Sequence, residues 1–279
     1  MWLKKFVKVR ICCLLFFIPT GLLAQSIPTE SLVPGGIAIV ELGNSLNEKP
    51  TVHYKKKPIL TIKRKDQWLA VIGIPLSAKL GNHFIDVKTS KRKKKLGFEV
   101  KNKNYRTQHI TIKNKRKVNP NKMDMTRINK ERPIIRNAFQ HWSDSVDIDL
   151  DFITPVKGVK SSSFGSRRVF NKQPRRPHSG MDIAAAKGTD VFSPAAGTVI
   201  ESGDYFFNGN SVFVDHGQGL ITMYCHMDTI TAKVGQAVKS GEKLGTVGSS
   251  GRVTGPHLHW TVSLNNARVD PALFLKGSQ

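Results

Sequence analysis

Gly255-Pro256-His257-Leu258-His259-Trp260-Thr261-Val262-Ser263-Leu264 is the stretch that decides how this chain folds. From His257 onward, polar and apolar residues alternate, which is the period of a β-strand with one face in a core. Leu258, Trp260, Val262 and Leu264 form the apolar face, while His257, His259, Thr261 and Ser263 share the other. Two imidazoles on one side of a strand can line a wet groove or serve chemistry, and the alternation fits both. Two more islands lie upstream, Tyr224-Cys225-His226 and His178-Ser179-Gly180-Met181-Asp182. Four histidines and one carboxylate, set in strand-and-turn sequence, read as a metal site with proton-transfer groups beside it. Such nitrogen and oxygen donors suit a catalytic zinc with an open coordination position. No HExxH motif is present, so the general base comes from elsewhere. His178 and Asp182 have helical spacing, but Pro177, Gly180 and Gly188 predict a bend or bulge instead.

Around these islands the chain reads as β-structure with tight turns. Strands are expected within Val191–Ile200, over Ser211–Asp215 and over Leu220–His226, with Asn208-Gly209 as a hairpin turn. Val234–Val247 is punctuated by glycine, and the repeated reversals leave little room for crossover helices. The N-terminal half shows short apolar or alternating runs from Ile37 to about Ile112. Trp68-Leu69-Ala70-Val71-Ile72, Phe84-Ile85-Asp86-Val87, Leu96–Val100 and His109–Ile112 are the clearest, and they predict a small antiparallel sandwich or barrel. Lys91–Lys95 is read as a solvated hairpin tip. Met125–Trp142 reads as helix, with Pro133 predicting a kink or two shorter pieces. The segment 143–150 is acidic and unpatterned, and a change in texture near Phe152 marks a new unit. The expected division is therefore 1–24 leader, 30–115 β domain, 119–151 partly helical linker and 152–279 second β domain.

The 279 residues allow two such domains. Lys4, Lys5, Lys8 and Arg10 precede an apolar run, Ile11–Leu23, that ends at Ala24, the pattern of an export signal too short to span a bilayer. Cys12 and Cys13 would leave with it, so Cys225 has no disulfide partner in the mature chain. Charge is uneven: residues 1–150 carry 30 Lys/Arg against 11 Asp/Glu, a net of +19, whereas 151–279 carry 14 against 9, a net of +5. That asymmetry suits an anionic neighbour for the first half, either a wall polymer or a lipid surface, or else a solubilising face. No nucleic-acid module is recognisable, and nucleic acid is not expected as a partner.

Over roughly Thr154–Leu275 the sequence resembles the lysostaphin-like, or LytM-type, zinc endopeptidases of bacterial cell walls. The resemblance rests on Phe164-Gly165-Ser166-Arg167, His178-Ser179-Gly180-Met181-Asp182-Ile183, Gly188-Thr189, Pro194-Ala195-Ala196-Gly197, Tyr224-Cys225-His226-Met227 and Gly255-Pro256-His257-Leu258-His259. It implies one Zn2+ per chain held by His178, Asp182 and His259, with His226 and His257 beside it as catalytic groups for water activation and transition-state stabilisation. Met227 replaces the usual leucine, and no ligand or catalytic position departs from the pattern. The implied fold is mainly β: an immunoglobulin-like N-terminal sandwich, a short helical linker and an antiparallel peptidase domain with a zinc groove. The implied activity is hydrolysis of peptide cross-links in peptidoglycan, the D-alanyl–meso-diaminopimelate bond in a periplasmic member. Metal-free relatives that activate a separate wall amidase supply the competing reading. The N-terminal domain would dock on the wall or outer membrane, bind a membrane-linked adaptor, or cover the groove. His216 and His141 are expected in a turn and on the surface, His53, His83 and His109 in sheets, and Asp215 in a structural role. Arg252 is expected to line the groove, and Tyr224 to pack beside the site or bond to substrate.

Overall fold

The computed structural model of the chain describes residues 27–43, 48–145 and 148–275. The leader reading at 1–24 lies outside them. Seven strands in the N-terminal half form two antiparallel sheets. One runs, in spatial order, Ile37–Glu41, Gln67–Gly73, Leu60–Arg64; the other runs Lys57–Pro58, Thr51–Tyr54, Gly81–Lys88, Lys93–Val100. In Gly81–Lys88, His83, Ile85 and Val87 are buried while Asn82, Phe84, Asp86 and Lys88 are exposed. The buried set meets Ala38, Ala70 and Ile72 of the facing sheet, so the expected sandwich is present. Lys93, Lys94 and Lys95 stand in an edge strand rather than at the tip. There they stay exposed, and their charge discourages edge-to-edge pairing.

The apolar run Leu69–Ile72 has no polar partner in its alternation because both of its faces are covered. Ala70 and Ile72 face the sandwich, whereas Leu69 and Val71 pack with Ile37, Leu60 and Ile62 into a core shared with Val262 and Leu264 of the C-terminal half. Two buried amides complete the join. Asn265 Oδ1 accepts from Gly73 N at 2.7 Å and its Nδ2 donates to Gly73 O. Gln218 Oε1 accepts from Thr61 N at 3.0 Å, and its Nε2 donates to Thr61 O and Ser145 O. The segment before Phe152 is likewise part of the core, through Ile148 and Leu150.

Two expectations for the middle of the chain change. The strand near His109 is Thr107–Ile110, and it joins no sheet of the N-terminal half. It runs parallel to Arg167–Phe170, which pairs in turn with Gln173–Arg175. The linker helix is one piece, Lys122–Gln140, with Pro133 inside it. Asn121 and Asp124 close a capping box at its start. Pro133 removes one bond to the Asn129 carbonyl, at a residue that is exposed. Contacts on both sides of Pro133 fix the helix to the C-terminal half: Arg127 ion-pairs with Asp204, and Phe139 meets Phe213 edge-on at 5.4 Å.

The main sheet of the C-terminal half is antiparallel. Its central order is Gly197–Tyr205, Gly209–Asp215, Ile221–Ile230, His257–Leu264, Met181–Ala184, Val159–Ser162. One face carries Leu258, Trp260, Val262 and Leu264 into the shared core. The other carries Ile221, Met223 and Cys225 beneath Ala138 and Phe139 of the helix. Thr261 and Ser263 lie opposite Met223 and Ile221, so the helix roofs that part of the histidine face and both are fully buried.

Candidate active site

The register sets the first pair. Asp182 stands opposite His259 across adjacent antiparallel strands, so both project to the same face. His178 precedes the strand and is bent back to them through Gly180, where a Cβ would run into Trp260 O and His259 Nε2. The 163–166 loop grips His178 at three points. Its backbone N donates to Ser166 O, its O accepts from Gly165 N, and its Nδ1 donates to Ser163 O at 2.9 Å. That last bond leaves Nε2 as an unprotonated lone pair aimed inward. His259 Nε2 lies 3.1 Å from Thr261 Oγ1, which leaves Nδ1 as its inward atom.

His178 Nε2, Asp182 Oδ1 and His259 Nδ1 therefore converge at 2.7–2.9 Å from one another. The group is the His/Asp/His cluster that can hold a metal among the described residues. Burial alone would raise the Asp182 pKa, but the adjoining His178 and His259 outweigh it and hold the carboxylate ionised. Burial lowers the pKa of His259, against the pull of Asp182. Two imidazole nitrogens and a carboxylate oxygen crowd one point, an arrangement that a cation among them would satisfy. The chemistry of this donor set fits a resident metal ion.

His226 reaches the site by a different route. Strict alternation along Ile221–Ile230 would send it toward the core, beside Tyr224. Instead its φ is +64°, and the pairing shifts on both sides of it. A histidine in the left-handed region costs about 1–2 kcal/mol, and here the turn brings its ring centroid within 4.9 Å of His257 and 5.9 Å of His259. His226 Nδ1 donates to Ser250 O and His257 Nδ1 to Gly255 O, both at 2.8 Å. Each thus presents a bare Nε2. Burial lowers both pKa values. His226 is driven furthest, with His257 and His259 adding to the effect, while Asp182 opposes the shift at His257.

All five candidate residues thus meet in one place. Arg168, which sequence reading passed over, donates through Nη2 to Asp182 Oδ2 at 2.7 Å and holds the carboxylate in line. Nothing in its local pattern marks it, since its strand partners are Thr107–Ile110 and Gln173–Arg175. Arg252 does line the groove, a cavity of about 500 Å³ that also borders Ile128 and Ile135 of the linker helix. Tyr224 turns away from the donors: it is fully buried in the core, with its hydroxyl 2.9 Å from Thr222 Oγ1. His216 sits in its turn but is buried rather than merely polar, and Asp215 is structural, accepting from Ser143 Oγ and Gly217 N. His141 remains half-exposed at the surface.

A roofed antiparallel groove ending in a His/Asp/His centre with two neutral imidazoles is the architecture of a metal-site peptidase. Residues 176–271 match Peptidase family M23, and residues 30–103 match the Peptidase family M23 N-terminal domain. A crystal structure of a peptidase M23 protein from Pseudomonas aeruginosa is 42% identical, covers 88% of this chain and 95% of that one, and superposes with a TM-score of 0.75. The chain belongs to peptidase family M23. Among curated proteins, peptidoglycan DD-endopeptidase ShyC of Vibrio cholerae is 38% identical over 112 residues, which is 40% of this chain and 26% of that protein. DD-carboxypeptidase/endopeptidase Mpg of Neisseria meningitidis is 40% identical over 111 residues, again 40% of this chain and 26% of that protein. The matched region spans about a quarter of the length of these curated relatives.

Proposed function

We propose that the protein is a zinc-dependent endopeptidase that hydrolyses peptide cross-links of peptidoglycan, the D-alanyl–meso-diaminopimelate bond above all. The observation that carries this reading is the convergence of His178 Nε2, Asp182 Oδ1 and His259 Nδ1 beside two imidazoles with bare Nε2 atoms. One Zn2+ held by those three atoms would supply a Lewis acid and lower the pKa of water at the open position. His226 and His257, neutral at pH 7, take up the proton of the attacking water at Nε2 and return one to the leaving amine. The protonated partner also steadies the negative charge that develops on the scissile oxygen. Arg168 and the Ser163 carbonyl keep the donors in position.

The names of the curated relatives support the substrate class, and the intact set of five residues favours hydrolysis over a metal-free role in activating an amidase. The division of labour follows the sequence reading, with the groove-bordering role of the linker helix added. Residues 152–279 carry the chemistry, 119–151 wall the groove, and the basic 30–115 region associates with an anionic wall or membrane surface or a membrane-linked adaptor. Export through the 1–24 leader would place the protein in the periplasm. No helix among the described residues is long and apolar enough to cross a membrane.

The test is to incubate the purified chain with cross-linked muropeptide dimers, with and without chelator, and to weigh the products. Chelator-sensitive conversion of dimers to monomers is expected. Release of intact stem peptides from glycan would identify an amidase instead, and a zinc-loaded chain that yields no product would overturn the reading.

A further inference from the structure

The groove carries more positive charge than its chemistry needs. Five arginines line it, against the single acid Glu131. Glu131 is already committed, since Oε1 accepts from Arg127 Nε and Oε2 from Phe206 N. Arg168 is matched to Asp182. Arg175 donates only to neutral oxygens, those of Pro174, Val118, Asn119 and Gln173. Arg252 has no carboxylate within ion-pair distance among the described residues. Its guanidinium carbon lies 4.5 Å from the centre of the Phe207 ring and 4.9 Å from that of Phe170. Burial first, then the neighbouring Arg168 and Arg175, pull its pKa down to about 10, so it keeps its charge at neutral pH.

A guanidinium lying over two aromatic rings keeps its N–H donors free at its in-plane edges. That edge is a planar fork that matches a carboxylate with two parallel bonds. Crowding it against Arg175 and the paired Arg168, with no carboxylate of its own, is unfavourable in the free protein, which is the mark of a site that waits for an anion.

We propose that Arg252, reinforced by Arg168 and Arg175, is the receptor for a free carboxylate on the peptide substrate beside the scissile amide. The inference rests on the peptidase reading and narrows its substrate. In a cross-link made through one amine of diaminopimelate, the carbon bearing the amide nitrogen also bears a free carboxylate. The carboxylate carbon is thus two bonds from the leaving nitrogen, which places the anion in the same cavity as His178, His226 and His259. A glycine bridge offers no charge there. Arg252 would therefore select anionic cross-links over neutral ones.

The probe is the dipeptide D-alanyl–meso-diaminopimelate, joined through the D-centre amine, with that centre's carboxyl either free or as the carboxamide. Calorimetry on the full chain in chelator measures binding without turnover and without a metal to attract the anion. The free acid should bind about tenfold or more tighter than the amide, as a charge-assisted pair requires. Arg252→Gln should bring the ratio close to one, and Arg252→Lys, with charge but no fork, should restore part of it. On the zinc-loaded chain, the same preference should appear in KM for dimers carrying the acid or the amide. Equal binding of acid and amide by the wild type, or a preference that survives Arg252→Gln, would overturn the proposal. If Arg252→Gln does not fold, the wild-type ratio and the lysine variant decide. A preference without any cleavage removes the peptidase reading and leaves the carboxylate receptor standing; cleavage without preference does the reverse.

Discussion

His216 tests how the sheet beneath the site is held. Its ring is only 4% exposed. Nδ1 donates to Ala196 O at 2.7 Å, and Nε2 accepts from Thr222 Oγ1 at 2.8 Å. Burial, opposed by the Ala196 carbonyl and Asp215, lowers its pKa from 6.5 to about 4. Between those values the unfolded chain takes up a proton that the folded chain refuses. The stability contributed by the neutral ring is thus whole above pH 6.5 and drains away as pH falls toward 4. The full displacement corresponds to roughly 3 kcal/mol, a sizeable part of a total on the order of 5–15 kcal/mol. His216→Gln keeps a donor and an acceptor but does not titrate. Urea unfolding of both proteins, in chelator so that metal release plays no part, should be followed from about pH 7.5 to about pH 4.5. The wild type's advantage should shrink by roughly 2–3 kcal/mol over that range. A gap that stays constant would refute the argument that the ring is held neutral by burial.

Three further outcomes follow from the contacts. His178→Ala and Asp182→Ala should lose bound zinc, whereas His257→Ala should keep it and lose turnover by roughly 10²–10⁴-fold; metal analysis beside a dimer-cleavage assay separates the two. Gln218→Ala strands Thr61 N and O at the join between the halves, and it should cost about 1–3 kcal/mol in urea unfolding. Sedimentation with purified sacculi should weaken as salt rises past about 0.15 M, where the screening length is about 8 Å, because the excess charge of residues 1–150 acts at long range. Binding indifferent to salt would remove the electrostatic account.

How much was legible differs from residue to residue, for physical reasons. His257–Leu264 was readable because it is an uninterrupted period-two run, and Leu258, Trp260, Val262 and Leu264 are all fully buried as the alternation requires. His226 was not readable from pattern. Alternation sends it to the wrong face, and only its positive φ, a tertiary outcome with no glycine to announce it, returns it to the site. Tyr224 was misplaced for the same reason, since it obeys the alternation that its neighbour breaks. Arg168 depends on a parallel pairing with residues 60 positions upstream, Arg168 with Gln108, which no local pattern encodes. The shared core was half-visible. A five-residue apolar run such as Trp68–Ile72 signals a strand covered on both faces, but not what covers it.

The same alternation that builds the core also places the proposed metal donors. Asp182 opposes His259, and Ala184 opposes His257, across one pair of strands. A slip of one residue would place Leu258 opposite Asp182 and drive both histidines into the apolar layer, losing core and site together. Register is therefore fixed by burial on the far face, where Leu258 and Trp260 pack into the core that both halves share. That core ties site geometry to the N-terminal sheet. Loosening the join at Gln218 or Asn265 should consequently be felt first as weaker stability. It should reach the donors only when the His257–Leu264 strand itself shifts, because backbone carbonyls of Ser163, Ser250 and Gly255 orient three of the four imidazoles independently of the join.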